Sequence, residues 1–150
     1  NNLVFGNRDF QYYETICGGQ GAGRYFDGCD AIQTNMTNSK LTDPEVFEEI
    51  YPITLIELSV NRRSGGKGKF SGGNGIKKVF KINTNMDCSI LSNNRHIPAF
   101  GLEGGSSGCV GRNSLKRKTQ IIRLDGNCQI ELKKNDFLII ETPSGGGFGK

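Results

Sequence analysis

Gly65-Gly-Lys-Gly-Lys-Phe-Ser-Gly-Gly-Asn-Gly75 runs directly into Ile76-Lys-Lys-Val-Phe-Lys-Ile82. The first piece is glycine-dense; the second alternates. Ile76, Phe80 and Ile82 share one face and Val79 lies on the other, which is the period of a β-strand. Glycine reaches backbone angles closed to other residues and lets chain approach chain or ligand closely. The same juxtaposition recurs along the chain, because twenty of the 22 glycines fall into four clusters: 17–28, 65–75, 101–111 and 142–149. Such clusters are either shaped loops or flexible linkers. Ordinary apolar runs between them favour shaped loops joining strands.

Working outward, Ile53 to Val60 is apolar on nearly both faces and rich in branched residues, so it reads as a buried strand. Cys88 to Leu91 is a further short strand. Gln120 to Leu132 reads as a hairpin. A three-residue loop, Asp125-Gly126-Asn127, would pair Leu124 with Cys128 and Ile122 with Ile130, keeping the apolar residues on one face. Phe137 to Thr142 returns as a strand after an Asn135-Asp136 turn. Thr42-Asp-Pro-Glu-Val-Phe-Glu-Glu-Ile50 is the clearest helix: Thr42 or Asp43 caps it, Pro44 suits its first turn, and Pro52 ends it. The expected fold is mainly β, at the margin of α+β. Antiparallel strands and hairpins are joined by glycine-rich loops, with one short helix near 43–50.

A chain of 150 residues fits a single β-rich domain over 1–150 and is long enough to bury a real core. It opens without methionine, so the expectation is a fragment of a longer chain, and it shows no signal peptide, which together with unpaired cysteines points to a cytoplasmic protein. No apolar stretch is long enough to span a bilayer, which argues against a membrane partner. The five cysteines are odd in number and widely spaced, and read as free thiols. The net charge of +4 is concentrated between Leu58 and Met86, where seven basic residues stand without an acid. Phe70 and Phe80 alone interleave with them and no nucleic-acid module pattern occurs, so a nucleic-acid partner is not expected.

The glycine clusters fail the nucleotide fingerprints. Lys67 and Lys69 follow glycines but lack the hydroxyl residue of a phosphate-binding loop, and Arg24 and Phe26 stand where a dinucleotide motif needs its third glycine. Gly104-Gly-Ser106-Ser-Gly108 matches the nucleophile-elbow spacing, without the strand before and helix after that the elbow requires. His96 is the only histidine, and no cluster has metal spacing. Glu14, Thr37, Asn38, Asp43 and Arg95 remain as candidate substrate-binding residues in apolar or glycine-rich context. For each, capping or turn chemistry is the competing role. An arginine such as Arg95 suits a carboxylate or a phosphate. No catalytic residue is assigned.

Taken in order, the motifs resemble the hydantoinase B/oxoprolinase family. Tyr12-Tyr-Glu-Thr-Ile-Cys-Gly-Gly-Gln-Gly-Ala-Gly23 is similar to one of its blocks, and Gln33-Thr-Asn-Met-Thr-Asn-Ser-Lys-Leu-Thr-Asp-Pro-Glu45 to the next. Tyr51-Pro52, the 63–75 glycine run, Leu91-Ser-Asn-Asn-Arg95, the stretch from Pro98 to Gly105 and Thr142 to Gly149 follow in family order. The resemblance implies the C-terminal part of an ATP-dependent cyclic amide hydrolase of the 5-oxoprolinase or N-methylhydantoinase type. It implies a site completed by an upstream part of the B-type chain and by a hydantoinase A-type partner that uses ATP. ATP and a divalent metal are implied for the complete enzyme; neither is expected to be bound by this chain. Asn35 stands where the family usually has histidine. A related carboxylase subunit, a structural or assembly module and a remnant of a split gene are the alternatives.

Overall fold

The computed structural model describes residues 1–34 and 37–150. Asn35, where the family resemblance expects histidine, lies outside the described residues. The elements are β1 (Asn2–Gly6), β2 (Gln11–Thr15), α1 (Pro44–Ile50), β3 (Ile53–Val60), β4 (Ile76–Ile82), β5 (Met86–Leu91), β6 (Arg112–Arg117), β7 (Gln120–Leu124), β8 (Asn127–Leu132) and β9 (Phe137–Glu141). The strands form a sheet of order β2-β1-β5-β8 and a second of order β3-β4-β9-β6-β7. Every strand pair in them is antiparallel. The mainly β expectation with one short helix is what the described residues adopt.

The core lies between the sheets. Leu3, Phe5, Cys88, Ile90 and Leu132 of the first sheet meet Ile53, Phe80, Ile82, Leu138 and Ile140 of the second, all buried. Phe5 meets Phe80 edge-on, with ring centroids 5.3 Å apart. Residues alternate across each strand, so one face of each sheet supplies the apolar layer.

At one side of the sandwich, helix α1 covers part of the gap between edge strands β2 and β3. Asp43 caps it, its Oδ1 accepting from the Glu45 and Val46 backbone N–H groups at 2.9 and 3.4 Å. Tyr51 ends it in extended conformation, as the following Pro52 requires. The inward residue Phe47 stacks 4.9 Å from Tyr12 of β2 and 6.0 Å from Phe80 of β4. Glu48 holds the helix to β3 by accepting the Leu55 N–H at 2.8 Å.

Two expectations are corrected. Gln120–Leu132 is not a hairpin. Strand β7 pairs with β6 through a two-residue Lys118-Thr119 turn, with Lys118 at φ 54°, while β8 pairs with β5 in the other sheet. The Asp125-Gly126 link therefore carries the chain from one sheet to the other, and the Gly126 carbonyl accepts from both the N–H and the hydroxyl of Ser92. Strand β3 is not buried either. It is an edge strand, bulged between Leu55 and Glu57, and Ile56, Leu58 and Val60 are all exposed. Its apolar inner face has no layer against it beyond the reach of α1. Strands β1, β2 and β6 were not foreseen.

The four glycine clusters converge into one body at the end of the sandwich. The C-terminal cluster is its axis. Gly145 N–H donates to Gly73, Ala22 N–H donates to Gly146, and Leu102 N–H donates to Gly147, each at 2.9 Å. Gly73 N–H closes the set on the Gln20 carbonyl at 2.8 Å. Only Gly104 and Gly149 adopt positive φ, so unusual backbone angles are not why most of these glycines are needed. Close approach is: a Cβ on Gly145 would lie 1.9 Å from the Gln20 carbonyl oxygen, and one on Gly65 1.8 Å from that of Gly72. The clusters are shaped segments, packed backbone against backbone.

Candidate functional site

Between β2 and β3 the structure stays open as a cleft of about 560 Å³. Its walls are mostly apolar, among them Ile16, Ile32, Leu41, Leu58, Val60 and Ile76, with Asn38 and Cys17 at its margin. Leu58 and Val60 point to the inner side of their sheet yet keep 41% and 39% of their surface, because the cleft replaces a packing partner. Burial pushes the Cys17 thiol above its ordinary pKa, so it is poorly suited to act as a thiolate.

Glu14 supplies the buried charge of this cleft. It sits on the inner face of β2, opposite Leu3 of β1, and is 7% exposed. Its Oε1 accepts from the ammonium of Lys78, which projects inward from β4 and is 3% exposed. The Lys78 ammonium also stands 5.0 Å from the centre of the Phe80 ring. The second carboxylate oxygen, Glu14 Oε2, is buried and has no hydrogen-bond partner among the described residues. Lys78 was missed in the sequence, although its parity with Ile76, Phe80 and Ile82 places it on the core face.

The other sequence candidates do not all converge on this point. Asn38 joins Glu14 in the cleft. Thr37 lines an adjoining hollow that shares Thr15, Ile16 and Gln33 with the cleft; its N–H and its hydroxyl both donate to the Thr34 carbonyl. Asp43 is the cap of α1.

Arg95 forms a second polar centre. It is 6% exposed, its Nε and Nη2 donate to Asn113 Oδ1 at 3.1 and 2.9 Å, and its Nη1 donates to the Asn93 carbonyl at 2.7 Å. Asn113, itself fully buried, donates onward to Ser92 Oγ and the Asp125 carbonyl. No carboxylate forms an ion pair with Arg95 among the described residues. Burial lowers its pKa to about 10. Gly111 makes room for the guanidinium, since a Cβ there would lie 2.3 Å from Nη1. Arg112, Arg123, His96 and Asp125 share with Arg95 a hollow of about 180 Å³.

Ser106, the serine of the elbow-like motif, accepts the Lys67 N–H at 2.7 Å within the glycine body. Neither a strand before it nor a helix after it is present to make an elbow. Among the described residues no group of three or more His, Cys, Asp or Glu is placed to hold a metal ion. No helix among them is long and apolar enough to cross a membrane.

Residues 1–150 match the family model described as Hydantoinase B/oxoprolinase. A 5-oxoprolinase of Dictyostelium discoideum is 44% identical over 151 residues, covering 100% of this chain. The chain spans 12% of that relative's length. Among solved structures, an acetone carboxylase in its nucleotide-free form has TM-score 0.79 at 20% identity, covering 99% of this chain and 25% of its own. The ATP-dependent caprolactamase of Pseudomonas jessenii has TM-score 0.75 at 20% identity, covering 99% of this chain and 28% of its own. At these identities the two structures speak for a shared fold.

Proposed function

The chain belongs to the hydantoinase B/oxoprolinase family, and on that premise we propose that it is the C-terminal β-rich part of a cytoplasmic, ATP-dependent cyclic amide hydrolase acting on 5-oxoproline or an N-methylhydantoin. The observation that carries this reading is the 44% identity to a 5-oxoprolinase over the full chain. On this reading an upstream part of the B-type chain and an A-type partner complete the site. ATP supplies activation of the ring carbonyl, which turns an unreactive amide into one with a good leaving group. The described residues offer neither a nucleotide fingerprint nor a metal-holding cluster.

What this chain contributes is the cleft and, apart from it, the Arg95 centre. The cleft presents Glu14 and Asn38 from apolar walls, which suits positioning of a small ring with few polar atoms. Arg95 is a buried cation without a paired carboxylate among the described residues, which suits a substrate carboxylate or phosphate. The test is ATP-dependent turnover of 5-oxoproline and N-methylhydantoin by the complete enzyme, with and without its A-type partner. Turnover of one of them that requires both ATP and the partner is expected. No turnover of either, with both present, overturns the reading.

A further inference from the structure

We propose that the free edge of β3 takes up one further strand, an extended segment from the upstream part of the B-type chain, which walls off the open side of the cleft. This deepens the reading that an upstream part completes the site, and rests on it for the source of the strand.

The backbone phase of β3 follows from its neighbours. In an antiparallel ladder successive residues turn their N–H and C=O alternately toward the paired strand and away from it. Ile76, opposite Val60, donates its N–H to Thr142 Oγ1 and not to β3. Val60 therefore faces away from β4, and so does Leu58, two residues back and opposite Lys78. Near the start of the strand the outward N–H is taken, because Leu55 donates to Glu48 of α1. Neither Leu58 N–H nor Val60 N–H has a partner among the described residues. Helix α1 thus closes the first half of the edge and leaves 57–60 open. An open edge that also exposes Ile56, Leu58 and Val60 is a template for strand pairing.

The source of the strand is argued from length and shape. The chain spans 12% of the 5-oxoprolinase it matches, so in that relative most of the polypeptide lies outside the matched part. A second copy fits the edge poorly. Pairing β3 with β3 would bring the copy's α1, which occupies the edge at Leu55, toward the turn at Arg62-Arg63. A single extended segment meets no such obstruction. Its inner side chains continue the row of Leu58 and Val60 and face Ile16, Ile32 and Leu41, so they are apolar. Its outer side chains continue the row of Ser59 beside the Lys77–Glu57 ion pair, where charge is already balanced, so they are polar without a net charge. Main-chain bonds hold such a strand and the alternation of its side chains fixes its register.

The experiment is amide hydrogen exchange of the complete enzyme, resolved to single residues. The Leu58 and Val60 amides are expected to be protected about a hundredfold or more, as paired backbone is. A photo-reactive benzoylphenylalanine at Ser59, whose side chain lies on the outer face, is expected to cross-link within one polypeptide to an upstream segment of alternating apolar and polar residues. Leu58→Pro removes an N–H that β4 does not use, a position an edge strand tolerates. It is expected to lower the cross-link about tenfold while the Glu57 and Ser59 amides, which face β4, stay protected. If that variant does not fold, exchange and cross-linking of the chain with Leu58 in place still decide. Unprotected Leu58 and Val60 amides, a cross-link to a second copy or to the A-type partner, or a folded Leu58→Pro variant with an undiminished cross-link overturns the proposal. Lack of 5-oxoproline and N-methylhydantoin turnover would speak against the function above and leave the exchange and cross-linking results untouched.

Discussion

Glu14 of β2 and Lys78 of β4 form an ion pair between the two sheets, with both side chains almost wholly withdrawn from solvent. Each charge depends on the other, because neither has another ionised partner among the described residues. Removing one member of such a pair leaves an uncompensated buried charge and costs about 3–5 kcal/mol. Lys78→Met is therefore expected to lower unfolding free energy in urea by about that amount, and Glu14→Leu with Lys78→Met to recover much of it. A single variant as stable as the wild type would show that the pair has no structural role.

The glycine body makes a prediction with a built-in control. A Cβ on Gly145 would strike the Gln20 carbonyl oxygen at 1.9 Å, whereas a Cβ on Gly21 would meet only the Gly146 oxygen at 3.9 Å. Backbone cannot swing aside as a flexible side chain does. Gly145→Ala is expected to destabilise by more than about 3 kcal/mol and Gly21→Ala to stay within about 1 kcal/mol of the wild type. Thermal unfolding of the two variants decides it. Equal melting temperatures would contradict close packing as the reason for the clusters.

Asp136 gives a pH dependence. Burial raises its carboxyl, but bonds from the Arg117 guanidinium and the Lys133 N–H outweigh this and hold it below its ordinary pKa. A carboxyl depressed on folding adds stability that is whole above the unfolded value of about 3.9 and disappears as pH falls through the folded one. The gap in urea midpoint between wild type and Asp136→Asn should be constant from about pH 5 to about pH 7 and narrow below about pH 4. A gap that widens on acidification would reverse the assignment.

Arg95 can be tested by substrate chemistry. 5-Oxoproline carries a carboxylate and N-methylhydantoin does not. In the complete enzyme, Arg95→Ala is expected to raise KM for 5-oxoproline by about tenfold or more while sparing N-methylhydantoin. A purely structural role, holding Asn113 and Asn93, would impair both substrates alike; that outcome, or an unchanged KM, removes Arg95 from the substrate contacts.

Local rules read well where a segment's neighbours along the chain decide its shape. Asp43 caps and Pro52 ends α1 through contacts within a few residues, so the helix was legible. Strands β4, β5 and β9 were legible from alternation or apolar runs. Partner choice was not. Ile122 and Leu124 alternate as well opposite β6 as they would opposite β8, because a period of two assigns faces and is silent about which strand lies alongside. Ile53 to Val60 looked buried because it is apolar on both faces; an open edge next to a cleft gives the same pattern. Of the candidate site, Glu14 and Asn38 were named and do share the cleft, whereas Lys78, which neutralises Glu14, was hidden among the basic residues of its run.

By itself, the amino-acid sequence determined the class of fold, the single helix and the family, because these rest on short-range periodicity, capping and ordered motifs. Only the tertiary structure decided that the glycine clusters are one interlocked body, that Asp125-Gly126 crosses between sheets, and that a lysine far along the chain neutralises Glu14 at the head of an open cleft. Those relations join residues dozens of positions apart, and backbone approach and charge pairing at that separation exist only once the two sheets have closed on each other.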